Sequence, residues 1–481
     1  MMGMSVDYYS IREEKYDLLF RDMPSMMAFW PKDNYSRICM DGQFGSGQFS
    51  DFQKGKDIWE VQLSTSSIQE MRGWYLYGKF GFTAGRKTDI SENLQFYLPD
   101  DGNPFYYFCQ QPGDWNYQQY HVEGAFSKDV IKHKLYLGLS VDYHGDLAFR
   151  FMDTRNEEYD FTYRLVPSLT WRINKIFALG FSYGFNRMKS QPNFTNKFPE
   201  NATDNKYNVY LNAGMGTYVK NISTSTETVA YGHQGFFSLS TFLGKNRIDL
   251  QYSIGGRNSI VSALYNSTFI EKEARIGRHL SMNNNVTVNH TYDGENLSVD
   301  TFFDMEVTNG SSNLYNDEGI EPEHFMTSRL NAILSNRTEF LHGPVSDCGI
   351  SLGFKRNHDI DLKYGQEMRT ARLLTSAECN LCIAIGHSSL NIITGIDVGY
   401  DACISRYHEI RSAEGNLYTE RIAVKRFAFE TTDILHSTIS LGLGHNIKKG
   451  AFIYLFSADW LKPTSLKDQY LLTKLKISYA F

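Results

Sequence analysis

Apolar and polar residues alternate with period two along most of this chain. Tyr159, Phe161, Tyr163, Leu165, Pro167, Leu169 and Trp171 form one face, with Asp160, Thr162, Arg164, Ser168, Thr170 and Arg172 interleaved. After a tight turn at Asn174, Phe177, Leu179, Phe181, Tyr183 and Phe185 repeat the pattern against Ala178, Gly180, Ser182, Gly184 and Asn186. It recurs from Leu135 to Tyr143, Ile248 to Ile254, Leu297 to Val307, Ile350 to Phe354, Ile392 to Tyr400 and Phe452 to Phe456. The last residues, Leu475 to Phe481, alternate the same way and end on an aromatic ring. Successive side chains of a strand point to opposite faces, so each segment predicts a strand with one apolar and one polar side.

A soluble sandwich also alternates, so the question becomes which face is wet. Here the polar face is rich in Gly, Ser, Thr and Asn, and the apolar face carries rings toward the strand ends, as at Tyr143, Trp171, Tyr183 and Tyr479. Rings at strand ends are expected where a barrel crosses the two membrane–water interfaces. Composition agrees, with 15% aromatic residues, 38 Gly and only 11 Pro. No window approaches the roughly 18–20 continuous apolar residues of a helical span.

Turn spacing predicts the architecture. Tight turns are expected around Lys132, Asn174, Gly244-Lys245-Asn246, Asp293-Gly294, His342-Gly343-Pro344, Gly386-His387 and Lys448-Lys449-Gly450. They alternate with longer polar connections at 97–114, 144–158, 190–223, 310–325, 357–367 and 403–417. With further strands near 35–48, 57–64 and 71–82, the chain reads as all-β. The expected fold is a transmembrane antiparallel β-barrel of about 14–18 strands, with short periplasmic turns and long extracellular loops. Residues 35–481 would form the barrel and residues 1–34 an N-terminal periplasmic segment or plug, with a short helix over Ile11–Arg21 carrying Tyr16, Leu19 and Phe20. Export needs a signal peptide, and Met1–Asp7 has neither a basic nor an apolar region, so the leader is expected upstream.

Charge and cysteines narrow the chemistry. A net charge of −6 and a pI near 6.1 lack the basic surplus of a nucleic-acid binder. Cys379 and Cys382 have the spacing of a C-x-x-C motif but fall within a predicted strand, where residues three apart point to opposite faces. The six cysteines suggest no framework, and neither a metal site nor a cofactor is expected.

Several stretches carry a family resemblance: Gly73-Trp74-Tyr75-Leu76-Tyr77-Gly78-Lys79-Phe80, the Asn103–Trp115 loop, and Arg150–Arg187 with Asp153-Thr154-Arg155-Asn156 and Phe181-Ser182-Tyr183-Gly184-Phe185-Asn186. On these the chain resembles a family of Bacteroidota outer-membrane β-barrels described only as a domain of unknown function. The resemblance implies an outer-membrane location and an association with TonB-dependent uptake systems. It implies no activity and supplies no catalytic residues.

Four groups of residues are the functional candidates. Leu475, Ile477, Tyr479 and Phe481 would be the assembly signal read by the barrel-insertion machinery, in contact with outer-membrane lipid. Asp300, Asp304, Glu306, Arg164 and Arg372 would face the lumen, with Asp142, Asp160, Asp249, Glu378, Asp397, Arg329 and Arg337, either pairing with one another or lining a selective pore. Phe105, Tyr106, Tyr107, Phe108 and Trp115 would make an aromatic external loop able to contact a ligand or a partner such as a TonB-dependent receptor. Asp142, His144 and Asp146 form a rim cluster that could serve a hydrolase, although no Gly-x-Ser-x-Gly element accompanies it and an enzyme is not expected. The expected role is a channel or an accessory of a nutrient or metal uptake system. The alternative is a surface-exposed binding or structural barrel without transport.

Overall fold

The computed structural model describes residues 21–29, 34–96, 98–99, 101–220, 225–267, 270–316, 319–341, 343–385, 389–409, 417–447, 450–464 and 468–481. The first strands are β1 (Tyr35–Gly47), β2 (Asp57–Met71), β3 (Trp74–Ile90), β4 (Tyr106–Phe108), β5 (Gly113–Ile131), β6 (Leu135–Arg150) and β7 (Arg155–Arg172). Next come β8 (Phe177–Thr195), β9 (Tyr210–Asn212), β10 (Tyr218–Lys220), β11 (Thr226–Leu243), β12 (Asn246–Ser267), β13 (Ile270–Asp293) and β14 (Leu297–Asn316). The last are β15 (Gly319–Phe340), β16 (Val345–Asp361), β17 (Gln366–Ala384), β18 (Leu390–Glu409), β19 (Ile434–Ile447), β20 (Gly450–Pro463) and β21 (Tyr470–Ala480). All but β4, β9 and β10 join one 18-stranded sheet in which each strand pairs with its chain neighbours. β21 pairs with β1, from Arg37 opposite Ala480 to Gly47 opposite Tyr470, and this closes the barrel. Closure leaves no unpaired edge, which is what hydrocarbon demands of a sheet.

The outer surface is apolar. Leu137, Val141, Leu165, Trp171, Phe181, Ile350, Ile396 and Phe456 are all exposed on it. On a closed barrel such a belt is the surface that lipid solvates, so the chain is a transmembrane barrel of the outer-membrane type.

The structure departs from the sequence reading at the ends of the strands. The stretch 71–82 contains a turn: Arg72 and Gly73 both have positive φ, 52° and 76°, and join β2 to β3 in a two-residue hairpin. The connections expected at 144–158, 310–325 and 357–367 are mostly strand, because β6–β7, β14–β15 and β16–β17 continue their ladders to within a few residues of the turn. About ten residues cross the hydrocarbon, and beyond it a strand no longer needs an apolar outer face. Polar sequence there marks the limit of lipid, not of the strand. Residues 11–20 of the helix expected over Ile11–Arg21 and the turn tips His342, Gly386-His387 and Lys448-Lys449 lie outside the described residues.

Both ends of the lumen hold inserted chain. At the short-turn end, residues 21–29 lie inside the barrel, with a 3₁₀ turn at Pro24–Phe29. Met23 and Met26 pack on Phe236, Met27 on Tyr77 and Ala125, and Phe29 meets Tyr136 edge-on at 4.8 Å. Ser25 bonds Ser168 and Thr170, and Arg247 donates to the Phe29 carbonyl. Gly138 makes room for this segment: a Cβ there would overlap the Ser25 nitrogen and lie 2.7 Å from the Pro24 carbonyl carbon.

At the long-loop end, β4, β9 and β10 form a small sheet folded into the barrel mouth. One face, Phe105, Tyr107, Cys109, Leu211 and Ala213, packs on the wall residues Phe194, Val261 and Leu314. The other, Tyr106, Phe108 and Tyr210, packs on Phe325 and Met368 and on Tyr418, Ile422 and Ala423 of the helical stretch that ends in α1 (Val424–Glu430). Gly277 admits the Phe105 ring, which a Cβ there would meet at 2.5 Å.

Candidate functional site

The candidate site is the lumen between these two inserts. Inward positions belong to the polar half of each alternating strand, so the pattern that greases the outside wets the inside. Two cavities occupy this space, of about 730 Å³ toward the long loops and about 910 Å³ toward the short turns. Both are lined by Gln234, Asn283 and Glu306, which places them against one another at mid-barrel.

Their charge differs. The upper cavity balances acids and bases and is lined by Arg257, Arg329, Lys355 and Arg372 among others. Its arginines are spoken for: Arg329 meets Asp359 at 2.6 Å and Arg372 meets Asp401 at 2.7 Å. The lower cavity is lined by seven carboxylates (Asp22, Asp142, Asp249, Asp300, Asp304, Glu306, Glu378) and three arginines (Arg21, Arg164, Arg337). Asp304 accepts from Thr287 at 2.7 Å, Asp300 from Thr291 at 2.9 Å, and Glu306 from Asn283. The donors to Asp304 and Glu306 are neutral and leave their charge in place, so this chamber favours cations.

The inserts are held by ion pairs at both ends. Arg164 reaches Asp22 at 2.6 Å, tying the N-terminal segment to β7. Arg421 meets Glu92 at 2.5 Å and Gln110 Oε1 at 2.9 Å, tying the helical stretch to the 91–112 loop. Burial raises the Glu92 carboxyl pKa, against the opposing pull of Arg421. At Arg426 in α1, the charge of Glu430 outweighs burial and raises the guanidinium pKa.

The sequence candidates fall out as follows. Asp300, Asp304, Glu306 and Arg164 line the lower cavity and Arg372 the upper. The expected pairing of lumen charges is found between neighbouring strands, as for Arg337 with Asp347 on β16. Leu475, Ile477 and Phe481 face outward, and Tyr479 stacks between Phe452 and Phe481 at 4.5 and 5.2 Å. The aromatic loop must be corrected. Phe105, Tyr106, Tyr107, Phe108 and Trp115 are at most 4% exposed, so they offer no external contact surface. Rings of this size gain more by burial than by exposure, and the inserted sheet and the barrel wall supply the cover. Cys379 does not face Cys382; its sulfur lies 2.8 Å from that of Cys348 on the adjacent strand.

Asp142 and His144 face the lumen as expected, but mid-strand on β6 and not at the rim, because β6 runs on to Arg150, and the structure adds a partner that sequence reasoning missed. His121 on β5 sits directly across from His144 on β6, and Glu123 across from Asp142. The hairpin at Lys132 was the signal that could have found them. A one-residue bulge between Asp129 and Ile131 sets the register, and a bulge is invisible to periodicity.

No curated protein matches this sequence. Among solved structures it is similar to the ferric yersiniabactin uptake receptor FyuA from Yersinia pestis, at 6% identity over 94% of this chain and 80% of that one, TM-score 0.47. It is similar to the outer membrane transporter YddB from Escherichia coli, at 8% over 94% and 81%, TM-score 0.40. A third is the toluene transporter TodX from Pseudomonas putida, at 10% over 96% and 93%, TM-score 0.30. The model of DUF6850, a family of unknown function, matches residues 24–481, inserted segment and barrel together, and the chain belongs to that family.

Proposed function

We propose that this barrel passes small polar, positively charged solutes across the outer membrane, with the inserted segments acting as gates. The observation that carries this reading is the acid-rich lower chamber, which residues 21–29 cap from the short-turn side. Arg164–Asp22 and Arg421–Glu92 are the latches. Glu92 is 1% exposed, so losing Arg421 strands a buried carboxylate, whereas Arg164 and Asp22 are each partly open to the lumen. The role in a Bacteroidota nutrient uptake system beside a TonB-dependent receptor is part of this proposal and draws on the family resemblance.

The test is conductance in planar bilayers. Wild type is expected to conduct little, whereas Gly138→Leu, which displaces Ser25, and Arg421→Ala, which releases the upper latch, should open frequently and prefer K⁺ to Cl⁻. Silence from all three, with every variant correctly inserted, sinks the transport reading in favour of a binding or structural barrel.

A further inference from the structure

The hairpin of β5 and β6 carries a second chemistry. The imidazoles of His121 and His144 stack face to face, with centroids 4.0 Å apart and planes 13° from parallel. Both Nε2 atoms converge on one oxygen, Asp142 Oδ1, at 3.2 and 3.1 Å. Glu123 Oε2 lies 3.9 Å from His121 Nε2. The donor atoms of His121, Asp142 and His144 all lie within 4.8 Å of one another.

Without an ion, two neutral rings can each donate Nε2–H to Asp142 Oδ1, which leaves the carboxylate charge uncompensated, whereas two protonated rings stacked this closely repel. A divalent cation beside the two Nε2 atoms satisfies both rings and the acid once a ring turns out of the parallel stack so that each lone pair points at the ion. With metal–ligand bonds of about 2.0–2.1 Å, ligands of a tetrahedral ion sit roughly 3.3 Å apart, close to the Asp–His separations found here. Access is open as well: the His144 side chain is 47% exposed, and Asp142 lines the acid-rich chamber. That chamber would enrich cations near the site. Arg21 of the inserted segment feels the charge of Glu123 and Asp142, so an incoming ion must compete with it.

We propose that His121, Asp142 and His144 form a luminal binding site for a divalent first-row transition-metal ion, with Glu123 as the adjoining carboxylate. Two imidazole nitrogens and one carboxylate suit such ions, whereas Ca²⁺ and Mg²⁺ prefer oxygen-only shells. The site stands apart from transport: a barrel that conducts nothing can still hold the ion.

The experiment is calorimetric titration of the tagless, EDTA-stripped full chain in detergent with Zn²⁺, followed by anomalous diffraction at the zinc edge. The expected result is one ion per chain, undisturbed by excess Mg²⁺ or Ca²⁺. His121→Ala, Asp142→Asn and His144→Gln should each weaken it by about tenfold or more. His133→Ala, on the exposed turn of the same hairpin, should titrate like wild type. Heat-modifiable migration on gels verifies that each variant is a folded barrel, and His144→Gln keeps a donor for Asp142 should the alanine variants fail to fold. Absence of stoichiometric Zn²⁺ binding, or lumen variants that bind like wild type, overturns the proposal whatever the conductance shows.

Discussion

At the scale of single residues, the side chains that decide most are those whose surroundings contradict their place in the alternation. Phe481 is 53% exposed and touches Tyr479, while its backbone exchanges hydrogen bonds with Ser36 of β1. Its ring is only partly packed on the rest of the barrel, so its expected contribution to yield arises during insertion. Phe481→Ala, which keeps the backbone pair, is therefore expected to lower the heat-modifiable membrane fraction several-fold, and Ser478→Ala to leave it unchanged. Equal yields would dismiss the terminal ring as an assembly signal. Asp153 offers a second residue-level test. Burial pushes its carboxyl pKa up, but hydrogen bonds from the Asn201 side chain and the Phe198 backbone N–H outweigh it and bring the pKa to about 2. A depressed carboxyl contributes stability that is complete above its unfolded value and lost as pH falls through the folded one. Between about pH 4 and pH 2 the 196–208 segment should loosen. Limited pepsin cleavage checks this, and Asp153→Asn should erase the difference between the two pH values.

At the scale of elements, strands were legible and inserts were not. The lipid-facing stretches of β6, β7, β8 and β14 could be read from alternation, since lipid imposes a strict apolar row on one face. The run Phe105–Phe108 alternates too, but every residue in it is apolar or aromatic, because both faces of the small sheet are covered. Periodicity cannot distinguish such a run from a greasy external loop. Phe108, fully buried and stacked on Tyr210 at 5.3 Å, shows what its burial is worth: truncating such a ring to alanine costs about 3–5 kcal/mol. The pairing of β16 with β17 yields a further prediction. Cys348 and Cys379 lie on one face with their sulfurs 2.8 Å apart. Treatment with copper phenanthroline should join them, two thiols giving a disulfide with their electrons passing to the oxidant. Mass spectrometry should show two fewer labelled thiols per chain, and Cys348→Ser should keep Cys379 reactive. Full labelling after oxidation would show that the two strands do not hold this register.

At the scale of the whole molecule, the exposed apolar belt makes detergent or lipid a requirement. Removing detergent from the purified chain is expected to precipitate it, as followed by size-exclusion chromatography. A monodisperse peak in plain buffer would contradict a membrane barrel. The same scale decides the lumen. Eighteen strands enclose more space than inward side chains can fill, and the chain fills part of it with its own segments at both ends. Among the described residues, the space left includes an acid-rich chamber at the short-turn side and a charge-balanced one above it.

The alternating pattern by itself determined that this chain forms antiparallel strands, that one side of them meets lipid, and which charged residues point inward. Those are local consequences of a two-residue repeat in contact with a uniform solvent. Tertiary structure alone decided what occupies the interior. Arg421 meets Glu92 across 329 positions of sequence and Arg247 reaches Phe29 across 218, and no local pattern encodes such contacts. It decided the His121–His144 pairing as well, because register within a hairpin depends on a single bulge. Hydrocarbon accepts any apolar side chain and so leaves a simple trace in sequence, whereas a lumen plug is held by particular partners that only the closed barrel brings together.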